Sequence, residues 1–270
     1  MFKTRLISGI ILVIIAIAVM VAGGPVLALT LLAISLIGVN ELYRALKVED
    51  GGASPLAWAG YGSVIICYLG VFLKLQNYAM ILVIGSLMAC MAVYVFTYPR
   101  YKTDQVSGAF LGVLYVAVML SCIYLLRNLE NGAYLVWLIF LSSWGCDTCA
   151  YCVGMLFGKH KMAPVLSPKK SVEGAIGGLV GAALLGAIYA ACIMTHIGSD
   201  PLDIFYFALI CAVGGLISMV GDLAASAIKR NHDIKDYGTL IPGHGGILDR
   251  FDSVIFVSPV IYMLAFFLLQ

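Results

Sequence analysis

The stretch from Asp222 to Asp252, DLAASAIKRNHDIKDYGTLIPGHGGILDRFD, holds nine of the 30 charged residues of this 270-residue chain. Its acidic residues sit at helical spacings. Ser218, Asp222, Ser226 and Lys229 follow one another by four, four and three residues, and Asp249 and Asp252 are three apart. Each set therefore lines one face if its segment is helical. Should the two segments pack antiparallel, Asp222 approaches Asp249 and Asp252. Carboxylates gathered in a low-dielectric setting repel, so protons or a cation must neutralise them. An all-oxygen donor set suits Mg²⁺, which keeps waters and binds phosphate beside one or two carboxylates. Lys229, Arg230, Lys235 and Arg250 match phosphate oxygens. Gly245 and Gly246, next to His244, let backbone approach a nucleotide closely. On the residues alone, two chemistries stay open. One is phosphoryl or nucleotidyl transfer on a membrane substrate. The other is ion-coupled transport, because transporters also set charges within helices.

The remainder of the chain dictates where such a site must be. The composition is 62% hydrophobic and 11% charged. A membrane span needs about 20 mostly apolar residues. Nine runs qualify: 6–22, 25–46, 55–74, 78–98, 106–126, 133–157, 172–195, 204–229 and 253–269. They are continuous rather than alternating, so helices and not barrel strands are expected. The basic start, Met1 to Arg5, precedes an apolar run too long for a cleaved leader, and the first span reads as retained. The fold class is all-α and polytopic. We expect five N-terminal helices over 1–132 and four catalytic helices over 133–270, with polar loops at 158–171 and 230–252. Threading nine spans from a cytoplasmic N-terminus leaves 14 of the 16 Lys and Arg residues on one side, all but Lys74 and Arg127. Basic residues in short loops stay cytoplasmic, so both polar loops, and a cleft between them, are expected to face the cytoplasm.

Several smaller features carry expectations. Asp147 lies well inside the sixth run, where an ionisable residue faces protein or water rather than lipid. Ser167-Pro168-Lys169-Lys170 has the form of a helix start, an N-cap followed by proline, and two lysines beside free N–H groups suit an anion. Gly174, Gly177, Gly178 and Gly181 form overlapping small-xxx-small patterns that fit an internal helix contact or a homodimer seam. Glu41 and Arg44 share a face one turn apart and are expected to pair at the interface. Cys146, Cys149 and Cys152 have no second ligand pair at metal spacing and read as small buried hydrophobes.

The charged segment also carries a resemblance. Ser226-x-x-Lys229-Arg230, four residues, then Lys235-Asp236-x-Gly238-x-x-Ile241-Pro242-x-His244-Gly245-Gly246-Ile247-x-Asp249-Arg250-Phe251-Asp252 resembles the signature of the phosphatidate cytidylyltransferases, the CDP-diacylglycerol synthases. Upstream, Asp147, Ala150-Tyr151, Phe157-Gly158-Lys159 and Ser167-Pro168-Lys169-Lys170-Ser171-x-Glu173-Gly174 resemble the same family, with Ser171 where threonine is commoner. The resemblance implies transfer of CMP from CTP to phosphatidate, with the bilayer and no nucleic acid as partner; with no eukaryotic targeting segment evident, a bacterial inner membrane is the expected location. The resemblance also implies Mg²⁺ and leaves a second cation open. Asp222 and Asp249 are then the first metal ligands, with Asp252 next. Lys229, Arg230 and Arg250 hold phosphates, and His244 contacts the triphosphate or the leaving pyrophosphate. Lys169, Lys170, Ser226, Lys235, Gly245 and Gly246 bind substrate, and Asp147 lines the cleft. A CTP-dependent lipid kinase or a lipid-binding scaffold would share much of this inventory.

Overall fold

The structure, a computed structural model, describes residues 2–48, 54–197, 201–243 and 245–269. It is all-α apart from one short hairpin. The helices are α1 Phe2–Ala22, α2 Gly24–Ala45, α3 Pro55–Phe72, α4 Ala79–Phe96, α5 Thr103–Arg127, α6 Gly132–Phe157, α7 Val172–Ile197, α8 Pro201–Asn231 and α9 Leu248–Leu268. Among the described residues eight of these, α2 to α9, are long and apolar enough to cross a membrane, and α1 adds the shorter apolar stretch Gly9–Ala22. Short π-helical stretches interrupt α5 at Val113–Val118 and α6 at Leu141–Gly145. The chain divides into two compact units. One comprises residues 1–124 and 231–251, the other 125–230 and 252–270.

The first unit is organised around Tyr43 of α2, which is wholly buried. Its ring occupies space left by Gly60 of α3 and Gly112 of α5, where a Cβ would strike it, and its hydroxyl donates to the Ala109 carbonyl at 2.7 Å. Lipid offers no hydrogen-bonding partner, so polar side chains between these helices satisfy one another. Ser35 pairs with Tyr68 at 2.8 Å, Asn40 donates to Tyr61 at 2.7 Å, and Ser54 pairs with Tyr101 at 2.9 Å.

In the second unit, α6 and α7 pack backbone to backbone. A Cβ on Gly174 would lie 2.8 Å from the Ala150 carbonyl, one on Gly177 2.5 Å from Val153, and one on Gly178 3.0 Å from Cys146. The glycine pattern thus serves a contact inside the chain. It also accounts for Cys146 and Cys149, whereas Cys152 departs from the buried position expected of it. Cys146 is buried against Gly178 and Gly215, Cys149 fills the space over Gly181, and Cys152 is exposed; all are free thiols. Gly221 of α8 lies against α9, where a Cβ would meet Phe256 at 2.9 Å and the Asp252 carbonyl at 3.0 Å.

The helix start expected at Ser167 is corrected. Ser167–Ser171 is a strand, β2, paired antiparallel with β1, Lys161–Ala163. Ser171 is the true cap, its hydroxyl accepting the Gly174 N–H at 3.1 Å. Glu173 then reaches back to accept the Lys159 N–H at 3.0 Å and the His160 N–H at 3.2 Å. A cap that also closes the hairpin outweighs the Ser-Pro signal four residues earlier.

These glycines give a direct test. Gly177→Ala should destabilise the protein by about 1–3 kcal/mol, because the added methyl overpacks against Val153. Gly62→Ala, which meets nothing within 4 Å, should melt like the parent. Thermal unfolding in detergent compares the two.

Candidate active site

In the second unit, the site residues converge from three helices and the hairpin. Asp147 comes from the middle of α6, Lys169 and Lys170 from β2, Asp222 and Lys229 from α8, and Asp252 from the first turns of α9. Lys170 forms an ion pair with Asp222, and its ammonium is shut off from solvent. The Lys170 and Asp222 charges act on Asp147. Asp252, buried at 9% exposure, lies in the field of Asp222, Lys229 and Asp147. Five of the expected groups, Asp147, Lys170, Asp222, Lys229 and Asp252, therefore form one electrostatic cluster. Ser226 is half-buried on the same face of α8, and Arg230 is exposed at its end.

A cavity of about 440 Å³ opens beside this cluster. Asp147, Lys169, Lys170 and Asp222 supply its polar part, while Ala150, Tyr151, Met155, Met162, Ala175 and Met219 give apolar walls. Gly154 and Gly174 line it too, where α6 and α7 come into close contact. A charged head beside an apolar chamber fits an amphiphile. The apolar walls lay outside the sequence reading, since methionines on a lipid-exposed span look like any other apolar residue.

In the first unit, the loop after α8 builds a second, polar cavity of about 480 Å³. Lys235, Asp236, Gly238, Thr239, Ile241, Gly243, Gly245 and Arg250 line it. The Ile241 N–H donates to the Gly245 carbonyl at 2.8 Å, closing a tight turn. Gly243 and Gly245 have φ of 78° and 85°, which is costly for any residue with a Cβ. His244 lies outside the described residues. Asp249 is buried at 7% exposure, and its Oδ2 accepts the Tyr237 N–H at 2.8 Å and the Gly246 N–H at 3.0 Å.

Among the described residues no three His, Cys, Asp or Glu side chains are assembled as a metal cage. Asp222 and Asp252 share a field, whereas one oxygen of Asp249 orders the loop. One expectation changes here, and it concerns Glu41. Glu41 does not serve as an interfacial partner of Arg44. It is buried at 6% exposure, and its carboxylate accepts the Ile247 N–H at 3.0 Å and the Leu248 N–H at 2.8 Å. The signal for it was visible, because a carboxylate in an otherwise apolar span has a functional reading by default.

A family model described as the cytidylyltransferase family matches residues 3–268. The chain belongs to that family. It is 29% identical, over 97% of both chains, to the phosphatidate cytidylyltransferase of Bacillus subtilis (strain 168). It is 30% identical to that of Staphylococcus haemolyticus (strain JCSC1435), over 97% of this chain and 98% of the other. It is 31% identical to that of Staphylococcus epidermidis (strain ATCC 12228), with the same coverage. The family match takes in the N-terminal helices of this cytidylyltransferase-family chain as well as its charged loop, so Glu41 falls within it.

The Lys170–Asp222 pair can be measured directly. A double-mutant cycle of Lys170→Met and Asp222→Asn, read by thermal unfolding in detergent, should return a coupling of about 1–3 kcal/mol. Additive losses would show that the pair contributes nothing to the fold.

Proposed function

We propose that this chain transfers CMP from CTP to phosphatidate, yielding CDP-diacylglycerol and pyrophosphate. The observation that carries this reading is the amphiphile-shaped cavity of the second unit, with Lys169, Lys170, Asp147 and Asp222 at its charged end, in a chain of the cytidylyltransferase family. A phosphate oxygen of the lipid forms a bond to the α-phosphorus of CTP, and the bond to pyrophosphate breaks in line. The nucleophile is already an anion, so no strong base is required. The barrier comes from bringing anions together and from charge growing on the leaving group, and preplaced cationic groups lower both.

Each residue has a part in this scheme. Lys169 and Lys170 take the lipid phosphate, and the apolar walls take the first acyl carbons. Lys235 and Arg250 hold the triphosphate in the polar cavity, where Gly245 and Gly246 let the backbone approach it; in the second unit, Ser226, Lys229 and Arg230 offer polar and basic groups to phosphate along α8. His244 is assigned contact with the triphosphate or the departing pyrophosphate. Mg²⁺ fits the oxygen-only donors Asp222 and Asp252 of the second unit, with Asp147 acting in the same field, because this ion completes its shell with waters and phosphate. When bound it would withdraw charge from the phosphate oxygens. The asymmetry of basic residues supports a cytoplasmic face for these loops.

Purified protein given phosphatidate, CTP and Mg²⁺ in detergent should release pyrophosphate. Release of CDP would instead mark a lipid kinase, and neither product would leave a transporter or scaffold. EDTA should abolish turnover, and added Mg²⁺ should restore it. Lys235→Ala should raise the KM for CTP about tenfold or more while leaving that for phosphatidate in place, as expected for one lost charge-assisted contact.

A further inference from the structure

We propose that Glu41, from the second helix, is a positioning residue for the reaction, holding the nucleotide loop in its working shape. This rests on the reading that the loop 235–250 binds CTP.

The loop ends where α9 begins, and three consecutive amides there need acceptors. The first N–H groups of a helix have no partner within it. The Gly246 N–H is taken by Asp249, but the Ile247 and Leu248 N–H groups go to Glu41, 206 and 207 residues away in sequence. An N-cap is usually supplied by a neighbouring serine, threonine or aspartate; here α2 supplies it. The contact continues along the loop. A Cβ on Gly246 would lie 2.5 Å from the Glu41 carboxyl carbon, and one on Gly238 2.9 Å from it. Both glycines are needed for the carboxylate to reach in. Glu41 therefore touches the polar cavity's own wall at Gly238 and fixes the exit of the turn that carries Gly243 and Gly245.

Its burial makes the clamp firm. A carboxylate at 6% exposure with two short N–H donors loses much if either is withdrawn, since charged groups left unpaired away from water are costly. The loop carries Lys235, Asp236 and Arg250, so a displaced Ile247 would shift the groups that face CTP without touching those that face lipid.

The test compares Glu41→Ala, Glu41→Gln, Ser35→Ala and Lys235→Ala as full-length protein in detergent. Ser35→Ala breaks a buried hydrogen bond on the same helix and reports simple destabilisation. Glu41→Ala should raise the KM for CTP about tenfold or more with the phosphatidate KM unchanged, by loss of two hydrogen bonds to a charged group. Glu41→Gln, which keeps one acceptor and the shape, should fall between. Hydrogen exchange at the 246–248 amides should quicken in Glu41→Ala and not in Ser35→Ala. If Glu41→Ala keeps both KM values and loses activity only in proportion to folded protein, as Ser35→Ala does, the inference is overturned. Unchanged exchange at those amides also overturns it. If Lys235→Ala leaves the CTP KM unmoved, the loop is not the nucleotide site, and that failure is separate from the clamp's.

Discussion

Three successive amides, those of Gly246, Ile247 and Leu248, meet two buried carboxylates, and the order of the charged loop follows from that meeting. A loop rich in glycine has many conformations to lose on ordering. Regular secondary structure does not hold this one. It is held by a tight turn with two residues at positive φ and by acceptors placed at its exit. One acceptor, Asp249, is local. The other, Glu41, lies more than 200 residues earlier in the chain. Burial strengthens both contacts, because no water competes for the donors.

The second unit solves a different problem with the same chemistry. Its charges sit on helices within a largely apolar chain, where an isolated charge is disfavoured. Lys170 neutralises Asp222, and Asp147, Asp252 and Lys229 share the surrounding field. The lysine reaches that position only because β2 is a strand. A hairpin tied by Glu173 and capped by Ser171 carries Lys169 and Lys170 to the cavity edge. Gly154 and Gly174, where α6 packs closely on α7, line the same cavity. Phosphate entering such a site would exchange one anionic partner of Lys170 for another, a substitution that costs little reorganisation.

Much of this was legible in the residues, for identifiable reasons. Long apolar runs announce membrane helices because the bilayer sets a minimum length, and the structure follows them closely from α2 to α9. Helical spacing placed Asp222, Ser226 and Lys229 on one face, and the signature from Ser226 to Asp252 pointed to the family that the whole chain matches. Local signals were less secure. Ser167-Pro168 is a good helix start in isolation, yet the chain uses Ser171. Glu41 and Arg44 have ideal spacing for a pair, yet amides are the better partners for a buried carboxylate.

The sequence by itself determined that this is a helical membrane protein with its charge concentrated in the C-terminal segment, because hydropathy and charge are properties of residues and their spacing; the signature carried by that segment pointed to phosphate chemistry. Tertiary structure alone decided that Glu41 caps a helix 207 residues away, that Lys170 answers Asp222, and that the glycines of α7 serve α6. Those outcomes depend on which distant groups meet. Where water is excluded, a buried donor or charge settles on whichever partner the packing brings within reach, whatever its distance along the chain.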